Sequence, residues 1–145
     1  MNKNEALKLL LEYLTSVQND FVIHPDFIED MKILLKKELK GVEVKFFQQM
    51  VTQLENINHF RKKVHTVANN EILSGIGRDS NGQPWELYSI HLTLGGNFNV
   101  RFIIKFDEST TPYLLYAFYE RKGKKKTDYT IPVKISQKRY LELKD

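Results

Sequence analysis

The spacing of apolar positions changes once along the chain. Leu7, Leu10, Leu11, Leu14 and Val17 recur every three or four residues and predict a helix over about 5–18. The run ending at Pro25 breaks that pattern, because a residue before proline is pushed out of helical geometry. A second helix follows with Asp26 as its cap, Ile28, Met31, Leu34, Leu35 and Leu39 on its apolar face, and Gly41 at its end. A third spans about 43–62, carrying Phe46, Phe47, Met50, Val51, Leu54 and Ile57.

From there the period shortens to two. Residues 84–92, 98–106 and 113–120 read as strands, with Gly95-Gly96-Asn97 turning the first into the second. Three strands in series predict an antiparallel meander, and the helices at 28–39 and 43–62 are expected to cover one face of it. A short closing helix is expected over about 136–143. The fold class is α+β, a single domain over 1–145, with an N-terminal helical extension (1–41) ahead of a core (42–145).

Strand alternation assigns faces. Phe98, Val100, Phe102, Ile104 and Phe106 fall on one side, under the helices. Asn99, Arg101, Ile103 and Lys105 fall on the other, with Arg101 and Lys105 about 13 Å apart. On the last strand the bulkier set Leu114, Tyr116 and Phe118 suits the core, which turns Tyr119 and Arg121 outward beside Arg101.

Composition adds little until charge is located. A chain of 145 residues, 41% apolar and 12% aromatic, suffices for one core without staples. No cysteine is present, so disulfides, thiolate metal sites and thiol nucleophiles are excluded. Glu5 and Glu12 interrupt the opening apolar residues, which read as a helix rather than a secretion signal, and no apolar run reaches membrane-spanning length. A cytoplasmic protein is expected. The net charge is +4, yet residues 121–139 alone carry +7, leaving −3 for the rest. Such asymmetry points to a polyanionic partner at that end.

Several chemistries lack their residues. The loop-rich stretch 65–83 contains SGIGRD and GRDSNG, but neither the Gly-Lys-Ser/Thr ending of a phosphate loop nor enough acids for calcium. His24, His59, His65 and His91 have no metal-ligand spacing, and no serine sits in a nucleophile elbow. No metal and no cofactor is expected. His91, ending its strand, reads as polar surface near the cations. What remains is a face with Arg101, Tyr119 and Arg121 rimmed by lysines, suited to phosphates and stacked bases of single-stranded RNA. The competing reading pairs Arg101 with Glu86 or Asp107 across the sheet.

WELYSIH, FNVRFIIKF, LLYAFYERKGKKKT and a proline followed by IxxxKRYLEL, in that order, resemble the RelE/ParE superfamily of toxins from bacterial toxin–antitoxin modules, and most the HigB-like, phage-derived members. The resemblance covers about 43 to the C-terminus. It implies two helices against a small antiparallel sheet, and metal-independent endoribonuclease activity on mRNA at the ribosome, restrained by a cognate antitoxin. Arg101 corresponds to the central-strand arginine, Arg121 and Lys122 to the paired cations, Lys125 and Lys126 to the lysines before threonine, and Arg139 to the closing-helix arginine. Catalytic roles are thus expected for Arg101, Tyr119, Arg121, Lys122 and Lys125, and like-charge crowding among Lys122, Lys124, Lys125 and Lys126 makes a lysine of that cluster the candidate base. RNA-binding roles are expected for Lys105, Lys124, Lys126, Tyr129, Lys138 and Arg139. The family's Lys-Thr-Pro is interrupted here by DYTI between Thr127 and Pro132, Tyr88 stands where an arginine is common, and the first 40 residues have no counterpart. ParE-like relatives implied by the same resemblance act on DNA gyrase. A non-catalytic RNA- or ribosome-binding protein also fits the basic patch.

Overall fold

The computed structural model describes residues 1–74, 77–95, 97–120 and 128–144. Among these are four α-helices, α1 (Lys3–Ser16), α2 (Pro25–Lys36), α3 (Glu43–Phe60) and α4 (Thr130–Lys144), and a 3₁₀ segment, Arg61–Thr66. Five strands, β1 (Val22–Ile23), β2 (Glu71–Leu73), β3 (Leu87–Thr93), β4 (Asn99–Phe106) and β5 (Pro112–Tyr119), form one open sheet in the order β1-β5-β4-β3-β2. The fold is α+β, as the change of period predicts.

The sheet is mixed rather than a pure meander. β1 runs parallel to β5, pairing Val22 with Tyr113 and Ile23 with Leu114, while the other neighbours are antiparallel. Both short edge strands escape the sequence pattern because two or three residues are too few for an alternation to register. The proline that ends the first helical pattern serves β1 and α2 together. His24 caps α2 by accepting from the Asp26 amide at 3.0 Å, Pro25 fills the first helical position, and Asp26 sits in the first turn instead of capping it. α2 stops at Lys36; Leu39 folds back into the core, and Gly41, at φ +90°, makes the turn into α3.

One face of the sheet carries the main core. Phe102 meets Phe27 of α2 and Phe46 of α3 edge to face, at ring-centroid distances of 5.0 and 6.4 Å, and Phe46 also meets Phe98. Ala6, Leu10 and Leu14 of α1 and Met31, Leu34 and Leu35 of α2 belong to the same buried cluster, so residues before 42 share this core.

The second face is covered too. α4 begins at Thr130, well before the expected 136, because Pro132 lies in its first turn, where a missing amide costs nothing, and Asp128 accepts from the Thr130 amide. Val133 and Tyr140 of α4 close a smaller core with Trp85, Leu87, Ile103, Tyr113 and Leu115. β5 also carries a bulge: Ile104 pairs with Leu114 but Ile103 pairs with Tyr116, leaving Leu115 as an extra residue. One inserted residue reverses the facing of everything after it. Ala117 and Tyr119 therefore lie opposite Phe102 and Val100 on the helix-covered face, and Tyr116 and Phe118 turn to the α4 face. Tyr119 is not outward beside Arg101, contrary to the alternation read from the sequence.

Candidate functional site

Strand register collects the polar residues of the second face at one end. Glu71 lies opposite Ser89, and His91 lies between Asn70's amide contact and Arg101, with Phe118 on the far side of Arg101. Opposed residues in an antiparallel pair point to the same side. Glu120 follows β5 and donates its backbone amide to the Asn99 carbonyl at 2.9 Å, which brings its side chain to the same corner. Tyr129 reaches in from just before α4.

The cluster is tightly connected. The Arg101 guanidinium lies 2.5 Å from a Glu120 carboxylate oxygen and also donates to Asn99. Both partners are mostly buried, at 9% and 8% exposure, and the Arg101 Nε has no hydrogen-bond partner among the described residues. The Tyr129 hydroxyl donates to Glu71 at 2.7 Å and shares a 2.8 Å hydrogen bond with the Ser89 hydroxyl. The His91 Nε2 stands 3.3 Å from Glu71. Gln53 donates to the His91 carbonyl, and Asn70 accepts from its amide while donating to Gln53 and Val64. This buried pair holds the backbone of His91 where β2 gives out.

Burial, reinforced by the Arg101 charge, lowers the His91 pKa from its usual value to about 4, although Glu71 and Glu120 pull the other way. The imidazole is thus neutral at pH 7. Burial likewise raises Tyr129, and the hydrogen bond to Glu71 adds to this against the opposing one from Ser89, so its hydroxyl keeps its proton. A neutral imidazole, a carboxylate, a protonated phenol and a guanidinium within one corner make a set able to take up a proton, release one and hold an anion.

The sequence-based candidates separate into groups. Arg101 and Tyr129 belong to this corner. Arg121, Lys122, Lys124, Lys125 and Lys126 lie outside the described residues. The remaining assignments need revision. Arg101 is buried in an ion pair with Glu120, whereas Glu86 accepts from the Tyr88 hydroxyl and Asp107 caps its own turn through the Ser109 and Thr111 amides. Lys105 does not stand on an open surface. Its Nζ lies 5.2 Å from the ring centroids of both Trp85 and Tyr140, and burial lowers its pKa. Arg139 is held 2.6 Å from Asp30, donates to the Leu115 carbonyl and lies over the Tyr116 ring, so it fastens α4 in place. Lys138 is exposed on α4.

Glu71, Ser89, Gln53, Asn70 and Glu120 carry no functional signal in the sequence, and His91, expected as polar surface, lies instead inside this cluster. Glu71 lies in a two-glycine, two-asparagine neighbourhood that reads as loop, and Glu120 reads as the charged end of a strand. No local signal announces that either faces a basic residue across the sheet.

Among the described residues no helix is long and apolar enough to cross a membrane, and no group of three or more histidine or acidic side chains has metal-binding geometry. No protein-family model, curated protein or solved structure matches the chain.

Proposed function

We propose that this protein is an endoribonuclease toxin that cuts mRNA, at the ribosome, in the cytoplasm, by metal-independent attack of a 2′-hydroxyl, and that a cognate antitoxin restrains it. The observation that carries the reading is the acid–base corner of Glu71, His91, Arg101 and Tyr129, between whose flanking residues Glu120 and Asp128 the sequence inserts five cations. The four-motif resemblance to RelE/ParE toxins supports it, as does an α+β architecture with helices against a small sheet.

In this reading the cations of 121–127 draw the phosphate backbone to the corner. The neutral His91 removes the proton of the 2′-hydroxyl, and Glu71 at 3.3 Å stabilises the imidazolium that forms. The 2′-oxygen bonds to phosphorus, the bond from phosphorus to the 5′-oxygen breaks, and Tyr129 returns a proton to that oxygen. A 2′,3′-cyclic phosphate and a 5′-hydroxyl result. Arg101 faces the charge that builds on the phosphoryl oxygens.

Mapping of 5′-hydroxyl ends in cellular mRNA after induction tests this directly. Discrete new ends in the wild type, absent from Arg101→Ala, are expected; intact messages in both sink it. The closed Arg101–Glu120 pair favours one second reading, a non-catalytic RNA-binding protein, for which messages stay intact while RNA binding weakens with salt.

A further inference from the structure

At the other end of the second face, away from the acid–base corner, lies an open cavity of about 650 Å³, the size of a small-molecule site. Four carboxylates, Asp79, Glu86, Asp107 and Glu108, line it against Lys62 and Lys105. Their surplus of negative charge makes the cavity hostile to phosphate. Asp79 and Asp107 are occupied by amides of their own turns, Asn81 with Gln83 and Ser109 with Thr111. Glu86 accepts from the Tyr88 hydroxyl, and Glu108 accepts from the Asn81 side-chain amide and lies 4.0 Å from the Lys144 ammonium, which leaves lone pairs over, most freely on Glu86.

Lys105 is the unusual group. It is 93% buried, its stem and ammonium are packed at Trp85 and Tyr140, and it lines the cavity without a hydrogen-bond acceptor or ion pair among the described residues. Its Nζ is not sealed from the cavity, so it is available to an acceptor from outside, and four carboxylates in the lining favour one that carries no net negative charge.

We propose that this cavity is a base-recognition pocket that takes the edge of a guanine. Guanine offers a carbonyl oxygen to the Lys105 ammonium and, beside it, N–H donors for a carboxylate such as Glu86. Adenine lacks the carbonyl, cytosine has a single donor group on that edge, and uracil sets one N–H beside its carbonyl where guanine sets an N–H and an amino group, enough for both oxygens of a carboxylate. Tyr140 and Tyr88 also border the cavity, their rings packed against Trp85 and Tyr113 and against Phe106, respectively, which makes that wall rigid. The pocket rests on the ribonuclease reading for its biological meaning. Lys105 and Arg101 share one face of β4, four residues and about 13 Å apart, so one RNA strand reaches both. The pocket would then set which nucleotide lies a short distance from the cleaved bond.

Trp85, the single tryptophan and in contact with Lys105, reports on the pocket. Guanosine is expected to change its fluorescence saturably, with adenosine and cytidine at least about tenfold weaker. Lys105→Met and Glu86→Gln should each weaken guanosine by roughly tenfold, the second variant guarding against misfolding in the first. A flat response to guanosine, equal responses to all three nucleosides, or unchanged affinity in both variants overturns the pocket. Its fate separates from that of the ribonuclease: guanosine bound while messages stay uncut leaves the pocket standing and removes the enzyme. Messages cut while guanosine gives no response does the reverse.

Discussion

The guanidinium of Arg139 lies 2.6 Å from the carboxylate of Asp30, 109 residues earlier, and together they seal the stretch of the β5 edge that β1 is too short to cover. β1 ends its pairing at Leu114, where the His24 amide donates to the Leu114 carbonyl. One residue on, Arg139 donates to the Leu115 carbonyl at 2.9 Å, and Asp30 accepts from the Ala117 amide at 3.1 Å. The pair does for β5 what a neighbouring strand would, and it sits at the bulge that reverses the end of the strand.

Replacing Arg139 by Met removes the guanidinium from the Tyr116 ring, leaves Asp30 without its counter-charge, with only the Ala117 amide still donating to it, and leaves the Leu115 carbonyl without the Arg139 donor. Breaking a buried pair from one side costs about 3–5 kcal/mol, which urea denaturation should register. If Arg139 is structural in this way, the salt dependence of RNA binding does not change. A shallower salt slope in the folded variant would mean that Arg139 contacts phosphate after all.

Arg101→Ala is expected to lower cleavage by roughly 100–1000-fold and to abolish growth arrest, the scale of losing a positioned charge stabiliser. It also strands Glu120, so the variant is to be checked for folding by circular dichroism. Adding Glu120→Ala should restore stability without restoring cleavage. A folded Arg101→Ala protein that remains toxic is incompatible with the role given to Arg101.

Tyr119 and Tyr129 part company because of the bulge. Tyr119→Phe, altering a hydroxyl on the helix-covered side, should leave cleavage rates unchanged, whereas Tyr129→Phe should reduce them about 100-fold by removing the proton donor. Single-turnover cleavage of a short RNA distinguishes the two, and the opposite ranking would restore the strand facing read from the sequence.

His91 gives the fold an acid-sensitive limb. Its folded pKa of about 4 lies below the ordinary value of 6.5, so the unfolded chain binds the proton first. Stability contributed by the neutral ring is present above pH 6.5 and is lost as pH falls toward 4, by ~3 kcal/mol at most. Comparing urea midpoints at pH 7 and pH 4.5 for the wild type and His91→Gln tests this. The variant should lose less on acidification; parallel losses would mean that His91 is not the group responsible.

Periodicity alone determines much of this protein. Three- and four-residue spacing marks α1, α2 and α3, alternation marks β3, β4 and β5, and the aromatic face of β4 is legible as core because those signals repeat over whole elements. Arg101 and Lys105 are likewise legible as cations on the opposite face, and the charge imbalance of 121–139 is written in the composition. The site is decided elsewhere. Whether Tyr119 or Phe118 stands beside Arg101 depends on one extra residue at Leu115, which alternation cannot detect because a bulge leaves no mark on the sequence of apolar residues. Whether Arg139 grips RNA or Asp30 depends on how α4 packs around the sheet edge, and whether Lys105 is exposed depends on where Trp85 and Tyr140 meet. His91 acquires its neutral state from burial and from Arg101 on the neighbouring strand. A side chain's periodicity belongs to its own element, but its charge state and its partners belong to the elements packed against it, and only the tertiary structure brings those together.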